Sequence, residues 1–151
     1  YDPKDNHELN VQGVGVATPN RMEVFLAAGL PPRTPAENPL EDRPLLDACD
    51  RLMARWEPQL LAATLGSRGM LLLQREGGPT HIPTRAREVF DVSGAGDTVI
   101  AAAVLALAAG AAPVEAMEVA NLAAGVVVGK VGTATAEPAE LADLLESRRH
   151  D

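Results

Sequence analysis

Residues 87–100 read Arg-Glu-Val-Phe-Asp-Val-Ser-Gly-Ala-Gly-Asp-Thr-Val-Ile, a β-prone stretch that passes through Gly94-Ala95-Gly96 into an alanine-rich segment. No other part of the chain constrains its fold as strongly, because the passage predicts strand, sharp turn and helix in that order. Glycine, lacking a Cβ, lets the backbone turn tightly at positions 94 and 96. The first N–H groups of the helix have no intrahelical acceptor and face whatever occupies the turn, for which a phosphate is the natural guest. Asp97 adds a carboxylate at that spot. It can accept a hydroxyl proton while the amides hold the group being moved, the division of labour that phosphoryl transfer to an alcohol requires. The plain alternative is an ordinary turn in which Asp97 only complements the helix dipole.

Rival glycine motifs fail on spacing. A dinucleotide fingerprint needs a glycine where this chain has Val99, and a serine-hydrolase elbow needs glycines where Asp91 and Ala95 flank Ser93. The run from Gly125 to Val131 is one residue short of a P-loop and has Val131 in place of the metal-binding hydroxyl, so Lys130 is not a Walker lysine.

Elsewhere the pattern alternates. Residues 14–17 predict a strand stopped by Thr18-Pro19, and residues 20–28 a helix ending at Gly29. Pro31, Pro32, Pro35, Pro39 and Pro44 make a rigid surface connection whose last proline opens a helix over 44–56. Strands are expected at 60–65 and 70–75, a hairpin turn at Gly77-Gly78, and further strand material at 80–83 and 88–92. The rest is helical. Residues 98–109 are apolar on nearly every face, which predicts a buried helix ending at Gly110. Pro113 starts another that runs through Asn121 towards Val128, a loop covers 129–134, and an amphipathic helix spans 138–146 before a frayed tail at 147–151. Strands alternating with buried helices indicate a layered α/β fold.

The length of 151 residues suits about one domain, and with so few aromatics alanine, leucine and valine must fill the core. The single cysteine, Cys49, shares a helical face with Leu45, Leu52, Met53 and Trp56, which predicts a core position. No apolar run suits a membrane span and the N-terminus lacks signal-peptide character, so the expectation is a cytoplasmic chain. A net charge of −8 argues against nucleic acid or anionic membrane as partner. His7, His81 and His150 have no metal-type spacing and read as scattered surface histidines.

Residues 91–104 resemble the C-terminal signature of the ribokinase-like (PfkB) carbohydrate kinases at every constrained position. Similar agreement holds in Thr18-Pro19-Asn20-Arg21-Met22-Glu23, in Thr64-Leu65-Gly66-Ser67-Arg68-Gly69, in Ala120-Asn121-Leu122-Ala123-Ala124-Gly125 and in Val128-Gly129-Lys130-Val131-Gly132-Thr133. Within the family, residues 81–84, 88–93 and 129–133 look most like the heptose-7-phosphate kinase module of bacterial ADP-heptose synthesis. The resemblance implies a three-layer α/β/α sandwich of which this chain is the C-terminal half, since family members run to about twice its length. It implies ATP-dependent transfer to a sugar or sugar phosphate, with Asp97 as base and the amides of Gly94, Ala95 and Gly96 as anion hole.

Other roles follow from the same resemblance. Asn20-x-x-Glu23 is a capping box in its own right; the family uses its counterpart to order Mg2+-bound water and nucleotide phosphates. Thr64, Gly66 and Gly69 would pass close to the nucleotide, or make a plain turn between strands. Asn121, polar in an apolar helix, must find a partner if buried, and the resemblance puts adenine near it. Asp91, Ser93, Gly132 and Thr133, with Gly129, resemble a monovalent-cation site of the K+ type. Lys4 either reaches phosphate or is a solvated surface lysine. Expected partners are the nucleotide, the sugar phosphate, an N-terminal half or nucleotidyltransferase domain, and a second copy through an exposed sheet edge. The alternatives are another kinase of the family, such as a fructokinase, ribokinase or nucleoside kinase, or a nucleotide-binding module without turnover.

Overall fold

The computed structural model describes residues 1–3, 11–84 and 92–147. Expectations for Lys4, His7, positions 88–91 of the strand at 88–92, Asp91 and His150 lie outside these; Val92 is described and is not in a strand. The chain forms two compact units, Tyr1–Pro83 and Thr84–Asp151.

Among the described residues the first unit holds a four-stranded sheet in sequential order: β1 (Val16–Ala17), β2 (Leu60–Thr64), β3 (Met70–Gln74) and β4 (Thr80–Ile82). β1 and β2 are parallel; β2 with β3, and β3 with β4, are antiparallel. Helices α1 (Arg21–Ala27) and α2 (Arg43–Trp56) lie between β1 and β2 in sequence. The strand predicted at 14–17 is thus only two residues long, although Gly15 O still accepts a bond from Leu60 N–H at 3.0 Å. The outer edge of β1 carries the first residue of the chain: the Tyr1 amino group donates to Val16 O at 2.7 Å and Thr18 N–H donates to Tyr1 O at 2.9 Å. The Tyr1 ring meets Trp56 edge-on, 5.4 Å between centroids.

α2 forms where the sequence places it because Asp42 caps Leu45 N–H at 3.2 Å and proline sits in the first turn. Its buried stripe of Leu45, Ala48, Cys49, Leu52 and Trp56 packs with Val24 and Phe25 of α1 and with Leu61, Ala63, Leu71 and Leu73 of the sheet. Truncating Leu52 to alanine there would cost about 2–5 kcal/mol. Cys49 is core, as its helical face implies, and burial pushes its thiol pKa up to about 12. Ala62, Met70 and Leu72 are buried as well, which accounts for unbroken apolar runs where a one-sided sheet would alternate.

Among the described residues the second unit comprises α3 (Ala95–Ala108), α4 (Pro113–Val128) and α5 (Pro138–Ser147). Small residues let α3 and α4 pack closely, with Val99 and Ala103 of α3 and Ala116, Ala120 and Ala123 of α4 buried. Three expectations need correction. α3 starts at Ala95, so Asp97 is its third residue and does not open it. α3 is not buried all round: Val104 is 46 % and Leu105 71 % exposed. Its apolar surface states what the helix can bury, and α4 covers only part of the circumference. α5 runs to Ser147, one residue into the expected tail.

Among the described residues no helix is long and apolar enough to cross a membrane.

Candidate active site

Two groups of the sequence-predicted residues are held together, one in each unit. In the first unit the parallel pairing of β1 and β2 does the work. Thr64 N–H donates to Pro19 O at 2.9 Å, and Asn20 makes an isolated parallel bridge with Thr64. Asn20, Glu23 and Thr64 therefore share the carboxyl ends of two neighbouring parallel strands, where open α/β sheets receive ligands. The capping box is present in full: Glu23 N–H donates to Asn20 Oδ1 at 3.0 Å, and Asn20 N–H donates to Glu23 Oε2 at 2.6 Å. Glu23 is only 8 % exposed, so its carboxylate is drawn out of solvent and pinned at the helix start.

Gly66 and Gly69 bracket the turn that follows β2, both at positive φ, 61° and 82°. Gly69 combines that φ with ψ −130°, a backbone region open to glycine alone. The turn is closed by Leu65 N–H to Gly69 O at 2.8 Å and Gly69 N–H to Gly66 O at 3.0 Å.

Sequence reasoning passed over Thr18. Its hydroxyl is buried, the residue being 2 % exposed, and it has no hydrogen-bond partner among the described residues. A hydroxyl left unsatisfied at a strand's carboxyl end costs about 1–3 kcal/mol unless a water or ligand completes it. The only signal in the sequence is its place before Pro19-Asn20. His81 was misread as a surface histidine: it is half-buried in β4 and its Nε2–H donates to Arg68 O at 2.7 Å.

In the second unit, Gly94 caps α3 with φ 79° and ψ −1°, a left-handed conformation that favours glycine. Thr98 locks the turn: its N–H and its hydroxyl both donate to Gly94 O, at 3.0 and 2.9 Å. Ala95 N–H donates to Val92 O at 3.2 Å, so this amide is engaged within the turn. Gly96 departs from expectation, since it lies inside the helix and is not among the residues at positive φ. A Cβ built on it would meet nothing within 4 Å. Neither conformation nor crowding within the described chain asks for glycine there. Asp97 stands exposed beside it in the first turn of a 14-residue helix.

A Cβ on Gly94 would lie 3.5 Å from Thr133 Cγ2, so the 132–133 loop packs against the Gly94 turn. Ser93 is exposed and adjoins it, while Asp91 lies outside the described residues. Asn121 is buried in α4. Lys130 Nζ donates to Glu140 Oε2 at 2.7 Å and to Thr135 O at 2.8 Å, a bracing role for the loop before α5. That bond, with Glu137 N–H, holds the Glu140 carboxyl below its ordinary pKa. Among the described residues no group of three His, Cys, Asp or Glu side chains is placed to hold a metal ion.

Comparison with known proteins identifies the family and the fold. The model of the pfkB family carbohydrate kinases matches residues 2–140. The "Bifunctional protein HldE" of Gluconacetobacter diazotrophicus is 48 % identical over 150 residues, covering 99 % of this chain and 30 % of that protein. Its namesake in Geobacter metallireducens is 47 % identical over 140 residues, covering 93 % and 27 %. The chain thus spans less than a third of the length of these relatives. Among solved structures, Arabidopsis thaliana ribokinase complexed with ribose and ATP superposes with a TM-score of 0.75 at 25 % identity, over 87 % of this chain and 40 % of that one. Escherichia coli phosphofructokinase-2 in complex with potassium gives 0.76 at 18 % identity, over 91 % and 42 %. The fold is ribokinase-like. With a family match across most of its length, and the Gly-Ala-Gly-Asp turn opening α3 inside that match, the chain belongs to the pfkB family of carbohydrate kinases.

Proposed function

We propose that this chain is the nucleotide-binding and catalytic half of an ATP-dependent kinase that phosphorylates a heptose 7-phosphate at its anomeric oxygen. The observation that carries the catalytic part is the pair Gly96 and Asp97. An exposed carboxylate sits in the first turn of α3 beside a glycine whose missing side chain no described neighbour requires. The space is explained if a phosphoryl group approaches the backbone there, held by amides and the positive end of the helix. The sugar rests on likeness to the proteins named HldE.

In the proposed reaction the acceptor oxygen attacks the γ-phosphorus and its bond to the β-phosphate oxygen breaks. ADP leaves with the electron pair. Asp97 takes the proton from the acceptor hydroxyl, and the first turn of α3 stabilises the charge spread over the transferring oxygens. Asn20 and Glu23 would order Mg2+-bound water, Thr64, Gly66 and Gly69 would border the nucleotide, and Asn121 would face adenine. The residues fit Mg2+, which keeps several waters and takes one or two carboxylates with substrate phosphates; the buried Glu23 carboxylate and the unsatisfied Thr18 hydroxyl supply oxygen donors. Mg2+ would neutralise charge on the phosphates. Ser93, Gly132 and Thr133, with Asp91, would hold K+ behind the turn, a reading supported by the packing of Gly94 against Thr133.

Acceptor-orienting residues are assigned to the part of the kinase that this chain does not span, and a nucleotidyltransferase domain is the expected further partner. The test uses γ-labelled ATP, Mg2+ and a panel of heptose 7-phosphate, fructose, ribose and nucleosides. This chain alone should bind Mg-ATP without transfer. A protein extended to the length of its relatives should label heptose 7-phosphate well above the others. Preferential labelling of another acceptor refutes the sugar assignment, and transfer by this chain alone refutes the half-site reading.

A further inference from the structure

The two turns at the carboxyl ends of β1 and β2 are joined by a segment that contributes no predicted site residue. Arg21, which directly follows Asn20, donates from Nη1 to Asp42 Oδ2 at 2.7 Å and from Nη2 to Arg33 O at 3.1 Å. The same Asp42 oxygen accepts Ala36 N–H at 3.2 Å, while Oδ1 caps α2. Ala36 O in turn accepts from Arg68 Nη1 at 2.9 Å, and Arg68 lies in the turn between Gly66 and Gly69. The Arg68 carbonyl is held by His81 of β4.

The hydrogen bonds thus run from the Asn20 end of α1, through Asp42 and both polar groups of Ala36, to the Gly66–Gly69 turn. Pro31, Pro32, Pro35 and Pro39 stiffen the segment that carries Ala36, so little chain entropy is lost by using it as a brace. A brace is needed there. Two glycines at positive φ let the turn adopt its shape but also let it leave.

We propose that residues 31–39 form a strap fixing the two turns relative to each other, and that Arg68 is a positioning residue for the nucleotide. This rests on the nucleotide-site reading above. Misplacement of a binding turn by about 1 Å is enough to weaken a ligand held by several simultaneous contacts.

Asp42 is a poor target for a test. At 1 % exposed, its loss would leave the Arg21 guanidinium without its carboxylate and threaten the fold itself. Arg68 is half-buried and its stem can be kept, so the variants are Arg68→Met, which removes the bond to Ala36 O, and Arg68→Lys, which can restore one donor.

Three readouts decide the matter: Mg-ATP dissociation constant by calorimetry, unfolding followed by the single tryptophan Trp56, and amide hydrogen exchange at residues 65–69. Arg68→Met should bind Mg-ATP about 5- to 30-fold more weakly. It should unfold within about 2 °C of the wild type and exchange faster at 65–69, with Arg68→Lys recovering most of the affinity. Unchanged affinity in Arg68→Met, or a loss of melting temperature with affinity intact, overturns the positioning role. Unchanged exchange overturns the strap. Failure of the wild type to bind Mg-ATP overturns the nucleotide-site reading, and the exchange data then still decide the strap.

Discussion

Replacing Gly96 by alanine separates what the fold needs from what the ligand needs. Gly96 has ordinary helical geometry in α3, and an added Cβ meets no atom within 4 Å. Alanine is preferred to glycine inside a helix by about 0.5–1 kcal/mol, so Gly96→Ala should stabilise the second unit by that amount. For a chain of this size the gain raises the melting temperature by about 1–4 °C, read by circular dichroism because the described elements of this unit are all helices. Binding should move the other way. A methyl group set where a phosphoryl must approach the backbone costs about 1–3 kcal/mol of overpacking, a 5- to 150-fold rise in the Mg-ATP dissociation constant. If Gly96→Ala is more stable and binds as tightly as the wild type, no anion approaches the backbone at the start of α3.

Asn20→Ala should cost the first unit about 0.5–2 kcal/mol through loss of the 3.0 Å cap on Glu23 N–H, while Asn20→Asp keeps the cap and most of the stability. Chemical denaturation followed by Trp56 tests this, and equal stability of wild type and Asn20→Ala would contradict it. Cys49, with its thiol raised to about 12, should resist a thiol reagent at pH 8 until the protein unfolds; rapid labelling of the native chain would place it outside the core. Glu140 should titrate below its ordinary 4.5 and move back up in Lys130→Met, as measured by NMR. Because its pKa is depressed, the Lys130 brace contributes above pH 4.5 and is lost as pH falls through the lower folded value. A Glu140 midpoint unchanged by Lys130→Met would refute that cause.

Local structure was legible where neighbouring residues decide it. Asn20-x-x-Glu23 announced its capping box, Pro44 its helix and Gly77-Gly78 its hairpin, because each signal acts within a turn of chain. The helix face bearing Cys49 followed from spacing alone. The start of α3 was misplaced because glycines that resemble a loop are already helical at 96, where the backbone itself does not require glycine. The exposure of Leu105 could not be read either, since an apolar pattern does not say which partner is present. The bridge from Arg21 to Arg68 left no trace in the sequence. Its members stand 6 to 47 positions apart, and only the pairing of β1 with β2 brings their turns to the same end of the sheet.

The central claim is that Asp97 removes the acceptor's proton. The direct measurement is turnover and ATP dissociation constant of Asp97→Asn in a kinase extended to the length of its relatives, with folding checked by circular dichroism. The substitution keeps size and polarity but removes the proton acceptor. Turnover should fall by about 10²- to 10⁴-fold while nucleotide affinity stays within a few-fold, since the amides of the turn are untouched. Near wild-type turnover would mean that Asp97 only complements the dipole of α3 and that the base lies elsewhere.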